Sequence, residues 1–242
     1  MKRWKNIAIG AVMGLYFPVV FAFVNYDNDR VVCGSIQPVV NDSLVNRFVS
    51  GNEIKDLVLD EYAGILGRPL GELDCHQMEA FFLNHPAVKN CEVFTTCGGA
   101  LHVHVTQREP LLRVFDVSAS YYLDEDGHKM PLFKNHSAHV LVVTGFIKRL
   151  KSMDQLIQLA RFIHKDAFWK AQIEQLYVDE QGELSIVPRV GDHIIEFGHL
   201  EDIDVKFRNL RALYTNGWNS REWNVYKKVS LKYKGQVVCT KG

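Results

Sequence analysis

The run HPAVKNCEVFTTCGGALHVHVTQREP, residues 85–110, decides how the first half of the chain folds. Glu92 to Thr96 and Leu101 to Gln107 read as two strands flanking Cys97-Gly98-Gly99-Ala100, whose glycine pair suits the positive backbone angles of a tight hairpin. Folding about Gly98-Gly99 sets Cys97 opposite Ala100. Along the second strand Leu101, Val103 and Val105 share one face while His102, His104 and Thr106 share the other, because side chains alternate across a strand.

Upstream of this hairpin the signals are helical. Asp74 and Gln77 make a capping-box-like start to a helix whose Met78, Phe81 and Phe82 face inward, and Pro86 ends it. Before the breakers Gly64, Gly67, Pro69 and Gly71, Asn52 is read as the cap of a helix over Glu53 to Leu59, with Ile54, Leu57 and Val58 on one face. The stretch VVCGSIQPVV from Val31 supplies a further strand. Strand, helix, helix, strand, strand then forms a small domain over residues 25–110. Two short helices cover one face of such a sheet, leaving the histidine face to solvent or a partner.

Further upstream, Ile7 to Val24 is eighteen residues without a charge, preceded by Lys2, Arg3 and Lys5. At 1.5 Å per residue it covers roughly 27 Å, and Trp4 and Tyr26 can extend it as interfacial anchors. Residues 1–6 are expected to be a short cytoplasmic tail and 7–24 a transmembrane helix, since basic flanks stay inside. Signal cleavage prefers two small residues two positions apart, and Ala22 is the only one near the end of the run, so the anchor is expected to be retained. Pro18 is tolerated within a span.

From Leu111 the texture changes to short strands with turns between them, expected to form a mainly β domain over residues 111–242. Asp126-Gly127, Gln181-Gly182 and, more weakly, Gly191-Asp192 are hairpin tips. Ser152 and Gln155 open a helix carrying Leu156, Ile157, Ala160 and Ile163 on one stripe. A second helix, about Leu200 to Tyr214, buries Ile203, Phe207, Leu210 and Tyr214, with Glu201, Asp202 and Asp204 at its positive end and Arg208 and Arg211 at its negative end. Gly217 stops it. The stretch YKKVSLKYKGQVVCT, residues 226–240, reads as a strand pair or one bent strand. From Arg221 to Gly242 six basic residues face Glu222 alone, which suits either protection of a sheet edge or an edge kept for one chosen strand. The fold class is α+β.

The 242 residues are 47% hydrophobic and 23% charged, a composition that folds rather than stays disordered. Lys+Arg 28 balances Asp+Glu 28, so no global basic field draws the chain to nucleic acid. The five cysteines, Cys33, Cys75, Cys91, Cys97 and Cys239, are odd in number and irregularly spaced; they read as mostly buried thiols, with room for one unassigned bridge. His102 and His104 lie two apart on one strand face, but no third ligand stands at a companion spacing, so a surface pair is expected rather than a zinc site. Asp124-x-Asp126-Gly127 imitates the start of a calcium loop, yet the glycine falls too early and Asn135 stands where a bidentate glutamate belongs, so it reads as a hairpin turn. No nucleophile elbow, C-x-x-C, H-E-x-x-H or glycine-rich phosphate loop occurs. No catalytic residue, cofactor or metal is therefore expected, and the chain is read as not an enzyme.

In this order of parts the chain resembles the FtsQ/DivIB cell-division family, in the form found in the Bacteroidetes. The small module is similar to a POTRA domain through Gly67-Arg68-Pro69-Leu70, Asn84-His85-Pro86-Ala87-Val88 and Val105-Thr106-Gln107-Arg108-Glu109-Pro110. The later signatures are YYLDEDGHKMPL at 121–132, VVTG at 142–145, VPRVGDHIIEFG at 187–198 and VSLKY followed by QVV at 229–238. The resemblance implies a bitopic inner-membrane scaffold of the divisome, with its C-terminal domain in the periplasm, that binds FtsB-like and FtsL-like partners and helps control septal peptidoglycan synthesis. It further implies that the last strand region receives a partner strand, with the family's basic-aromatic pair at Lys232-Tyr233 and with Ser230, Leu231 and Gly235 around it. The alternative is an envelope assembly or polypeptide-transport factor that uses its POTRA-like module on client chains.

The topology carries its own test. A thiol label restricted to the cytoplasm should leave Cys239 unmodified in intact cells, and the mature protein should retain its first residues. Labelling of Cys239, or a mature chain beginning near Asn25, would overturn the orientation or the anchor.

Overall fold

A computed structural model of the chain describes residues 12–20, 31–42, 47–116, 119–133, 136–218 and 223–242. The chain divides into two compact units, Met1–Arg108 and Glu109–Gly242. Residues 12–20 are helical, in line with the uncharged run, while Trp4 and Tyr26 lie outside the described residues. Among the described residues no helix is long and apolar enough to cross a membrane.

In the first unit a three-stranded sheet is built from β1 (Ser35–Val40), β2 (Val88–Thr95) and β3 (Ala100–Gln107), in the order β1-β3-β2. Strand β3 is central, parallel to β1 and antiparallel to β2. Two helices, α1 (Gly51–Glu61) and α2 (Cys75–Leu83), supply Ile54, Val58, Met78 and Phe82 to a core that also takes Leu101, Val103 and Val105. Asp74 caps α2 as expected, accepting from the Gln77 N–H at 2.9 Å. The cap of α1 is Ser50, whose Oγ accepts from the Glu53 N–H, and not Asn52, which lies inside the helix. Serine and asparagine are nearly equal caps, so tertiary position decided between them.

The hairpin register also differs by one residue from the expected one. Thr95 pairs with Leu101, and the Thr96 N–H donates to the Ala100 carbonyl at 2.9 Å, so Ala100 lies across from Thr96 rather than Cys97. The loop holds one residue more on its first arm than on its second. On the open face Phe94 stacks on His102 with ring centroids 4.9 Å apart and meets His104 edge-on, so the two imidazoles form an aromatic patch. Cys33 and Cys91 are buried, and burial pushes the Cys91 thiol up to about 12. All five cysteines are free thiols.

The second unit is one nine-stranded mixed sheet. Its strands are β4 (Pro110–Phe115), β5 (Ser120–Asp124), β6 (Lys129–Met130), β7 (Leu141–Gly145), β8 (Ile173–Val178), β9 (Leu184–Pro188), β10 (Ile194–Gly198), β11 (Tyr226–Ser230) and β12 (Val238–Lys241). They lie in the order β12-β11-β10-β9-β8-β7-β4-β5-β6. The three expected hairpin tips join β5 to β6, β8 to β9 and β9 to β10. The pairs β4-β7, β7-β8 and β10-β11 are parallel, and a helical crossover stands between β7 and β8 and again between β10 and β11. Asp124 is buried, and its Oδ1 accepts from the N–H groups of Asp126 and His128, the geometry of a side-chain-stabilised turn.

The helices are α3 (Met153–Lys165), α4 (Ala167–Gln172) and α5 (Ile203–Ala212). The short α4 has no counterpart in the sequence reading. Asp166 starts it by accepting from the Phe168 and Trp169 N–H groups while pairing with Arg211 of α5 at 2.6 Å. Helix α5 begins at Ile203 rather than Leu200, because Asp202 takes a left-handed conformation with φ 52°. The helices bury their apolar stripes on the sheet row Val143, Leu176, Ile186, Ile195 and Val229, and Phe207 of α5 packs on the rings of Trp169, Phe162 and Phe197.

Gly145 closes β7 with φ 97°, and a Cβ there would lie 2.1 Å from the Val178 carbonyl oxygen. Both the angle and the contact exclude a side chain. Gly145→Ala is expected to destabilise the second unit by about 2 kcal/mol or more, read as a lowered thermal midpoint. An unchanged midpoint would contradict this placement of β7 against β8.

Candidate partner-binding site

The sequence-predicted residues Ser230, Leu231, Lys232, Tyr233 and Gly235 gather at one corner of the second unit, but they do not form one strand. Pairing of β11 with β12 runs from Tyr226 opposite Lys241 to Ser230 opposite Val238. Ser230 and Leu231 then turn inward and are buried, and the Leu231 N–H donates to the Glu196 carbonyl of β10 at 2.9 Å. Lys232, Tyr233 and Gly235 lie in the connection to β12. There the Gln236 N–H donates to the Tyr233 carbonyl at 3.2 Å, across Gly235 with its φ of 74°. The expectation that Lys232-Tyr233 sits within the terminal strand is therefore corrected: the alternation of Val229, Ser230, Leu231 and Lys232 continues past the last ladder pair. The turn decides where the strand ends.

Each residue has a distinct environment. Lys232 pairs with Glu183 of the β8-β9 connection, and that hydrogen bond raises its pKa. Tyr233 is 60% exposed. The connection borders a hollow of about 450 Å³ whose far wall is the start of α5, including Glu201, Asp202 and Lys206. The Lys206 ammonium donates to the Phe197 and His199 carbonyls at 2.8 Å each and lies 4.4 Å from the centre of the Phe197 ring. Burial lowers the pKa of Lys206, and Asp202, Glu201 and Glu183 oppose that shift.

Strand β12 ends the sheet, so its outer row of backbone groups has no neighbouring strand among the described residues. Val238 and Thr240 are exposed along it, while Cys239 is half-buried opposite Val229. Burial pushes the Cys239 thiol above its ordinary value. Lysines flank the edge: Lys228 pairs with Glu196 at 3.3 Å and Lys227 with Asp192 at 3.7 Å.

A family model described as "FtsQ/DivIB, C-terminal related" matches residues 109–240, this sheet as far as Thr240 and its helices. The chain belongs to the FtsQ/DivIB family. A second model, of the POTRA-like domain, matches residues 31–106. The chain is also 30% identical over 169 residues to the cell division protein FtsQ of Salinibacter ruber, a match covering 64% of each chain. It thus spans less than two thirds of that relative's length.

Under the terminal edge of this FtsQ/DivIB chain lies a support that sequence reading did not find. His193 is buried where β9 turns into β10, ringed by Tyr214, Trp218 and Trp223, and Trp218 stacks on Tyr226 of β11. The His193 Nε2 lies 2.6 Å from the Tyr214 hydroxyl. Gly191 makes room for the ring, since a Cβ there would stand 2.8 Å from Nδ1. Nδ1 faces the Trp223 backbone, which favours the charged ring, but it finds no hydrogen bond of good geometry. Burial outweighs that backbone and the nearby Asp192 carboxylate, and lowers the pKa of His193. The density of aromatics in WNSREWNVY, residues 218–226, was the available signal.

The sign of the pH effect follows. The unfolded chain binds a proton at His193 near the ordinary value of about 6.5, whereas the folded chain resists protonation to lower pH. The contribution of His193 is complete above about pH 6.5 and is lost as pH falls from there towards the folded value. His193→Gln should flatten the fall in thermal midpoint between about pH 7 and pH 5. A slope identical to wild type would remove His193 as its source.

Proposed function

We propose that this chain is a bitopic inner-membrane scaffold of the bacterial division machinery, not an enzyme, whose periplasmic β domain takes up a strand from an FtsB-like partner. Residues 7–24 anchor it, with Trp4 and Tyr26 at the interfaces and the first residues in the cytoplasm. The observation that carries this reading is the unpaired edge of β12 beside the exposed Tyr233, in a chain of the FtsQ/DivIB family. An incoming strand satisfies the free backbone groups of β12, and pockets beside it supply selectivity. Tyr233 offers a rigid aromatic contact at the end of the added strand, and Lys234 and Lys241, outside the ion pairs that hold Lys227 and Lys228, meet acidic residues on the incoming chain. An FtsL-like protein joins through the same complex. Its assembly at the septum helps to control peptidoglycan synthesis there.

Tyr233 is exposed, so its removal separates binding from folding. Tyr233→Ala should keep the wild-type thermal midpoint and weaken binding of the FtsB-like partner by about 2 kcal/mol or more, roughly thirtyfold. Single lysine substitutions should cost less and act mainly on salt dependence. Unchanged affinity in the folded Tyr233 variant would sink the proposed contact. In cells, depletion should give filaments without septa; normal division with defective insertion of outer-membrane proteins would favour the envelope-assembly alternative.

A further inference from the structure

At the opposite end of the strands, away from the terminal connection, the second unit carries a notch of about 490 Å³. The parallel ladder of β7 and β8 begins only at Val142 opposite Gln175, and the pairing of β8 with β9 shifts register between Ile173 and Gln175. Glu174 is thus the extra residue of a bulge, and the two strands part before their first ladder pair. Bulges bend a strand and end its pairing, and they concentrate beside functional surfaces. The floor of the opening is apolar, formed by the buried side chains of Leu111, Ala160, Ile163 and Ile173. Its rim is basic: Lys170 and Arg189 are exposed, with His139 and His164 beside them and Glu174 as the single carboxylate.

No ion pair engages Lys170 or Arg189 among the described residues, in contrast to Lys227, Lys228 and Lys232 at the terminal edge. An apolar floor under unneutralised cations, at the entry to β7, suits one kind of occupant. We propose that this notch is a second docking site, for an extended acidic segment of a partner protein that inserts one or two apolar side chains between β7 and β8 while its carboxylates meet Lys170 and Arg189. Charge complementarity selects the acidic flanks, and the bounded floor selects a side chain over a flat membrane surface. The site is independent of strand addition at β12, because none of its lining residues belongs to β11, β12 or their connection.

The test uses the full chain in detergent micelles and a fluorescein-labelled synthetic peptide with a leucine pair flanked by glutamates, with a lysine-flanked version as control. The glutamate peptide should bind saturably, and the Lys170→Glu/Arg189→Glu double variant should lose at least tenfold in affinity while keeping its thermal midpoint. Tyr233→Ala should leave that affinity within about twofold, since this residue lies at the other site. Equal binding of the two peptides, or equal affinity of wild type and the double variant, would overturn the proposal. A loss on Tyr233→Ala as large as that of the double variant would assign the peptide to the terminal edge instead. Displacement of the glutamate peptide by soluble short-chain phosphatidylglycerol, with short-chain phosphatidylcholine inert, would assign the notch to lipid headgroups and likewise overturn it.

Discussion

One buried row of side chains crosses the second unit and fixes everything placed on it. Val143, Leu176, Ile186, Ile195 and Val229 stand side by side on β7, β8, β9, β10 and β11, and each belongs to the helix-facing core. Side-chain alternation along a strand has a period of two, so a slip of one residue anywhere in the row would turn a whole strand's apolar set outward. The row thereby locks the register of strands that are parallel in some pairs and antiparallel in others. Its last member, Cys239 on β12, is half-buried, and among the described residues the row stops there.

The crossover through α5 turns this register into a usable edge. Because β10 and β11 are parallel, the chain must leave the sheet, pass along α5 and return, which brings Trp218 and Trp223 together and stacks Trp218 on Tyr226 at the start of the returning strand. The aromatic group around His193 then fills the space between the crossover and the sheet. Strand β12 needs only four residues, because β11 is already held in place by β10 and by this packing.

What the sequence made legible was whatever depends on neighbours close along the chain. The stripe of Leu156, Ile157, Ala160 and Ile163, the Asp74 cap and the Asp126-Gly127 tip all follow from local periodicity or local backbone chemistry, and the structure has each. The cap of α1 went to Ser50 because two nearly equal candidates stand two residues apart. Parallel pairing of β1 with β3, or of β7 with β4 and β8, joins segments far apart in sequence, which no local pattern encodes. The His193 group was hidden for the same reason, since its members come from a strand entry, a helix end and a loop. At the candidate site the reading of one continuous strand through Lys232 and Tyr233 failed, because a turn between β11 and β12 holds both residues.

The two ends of the large sheet are unlike. At the far end β6 is two residues long and is followed at once by Pro131, which has no N–H to offer a further strand. At the near end β12 presents an open row. Two copies of this large sheet can therefore join only β12 to β12, about a twofold axis, and such a pair closes on itself instead of growing.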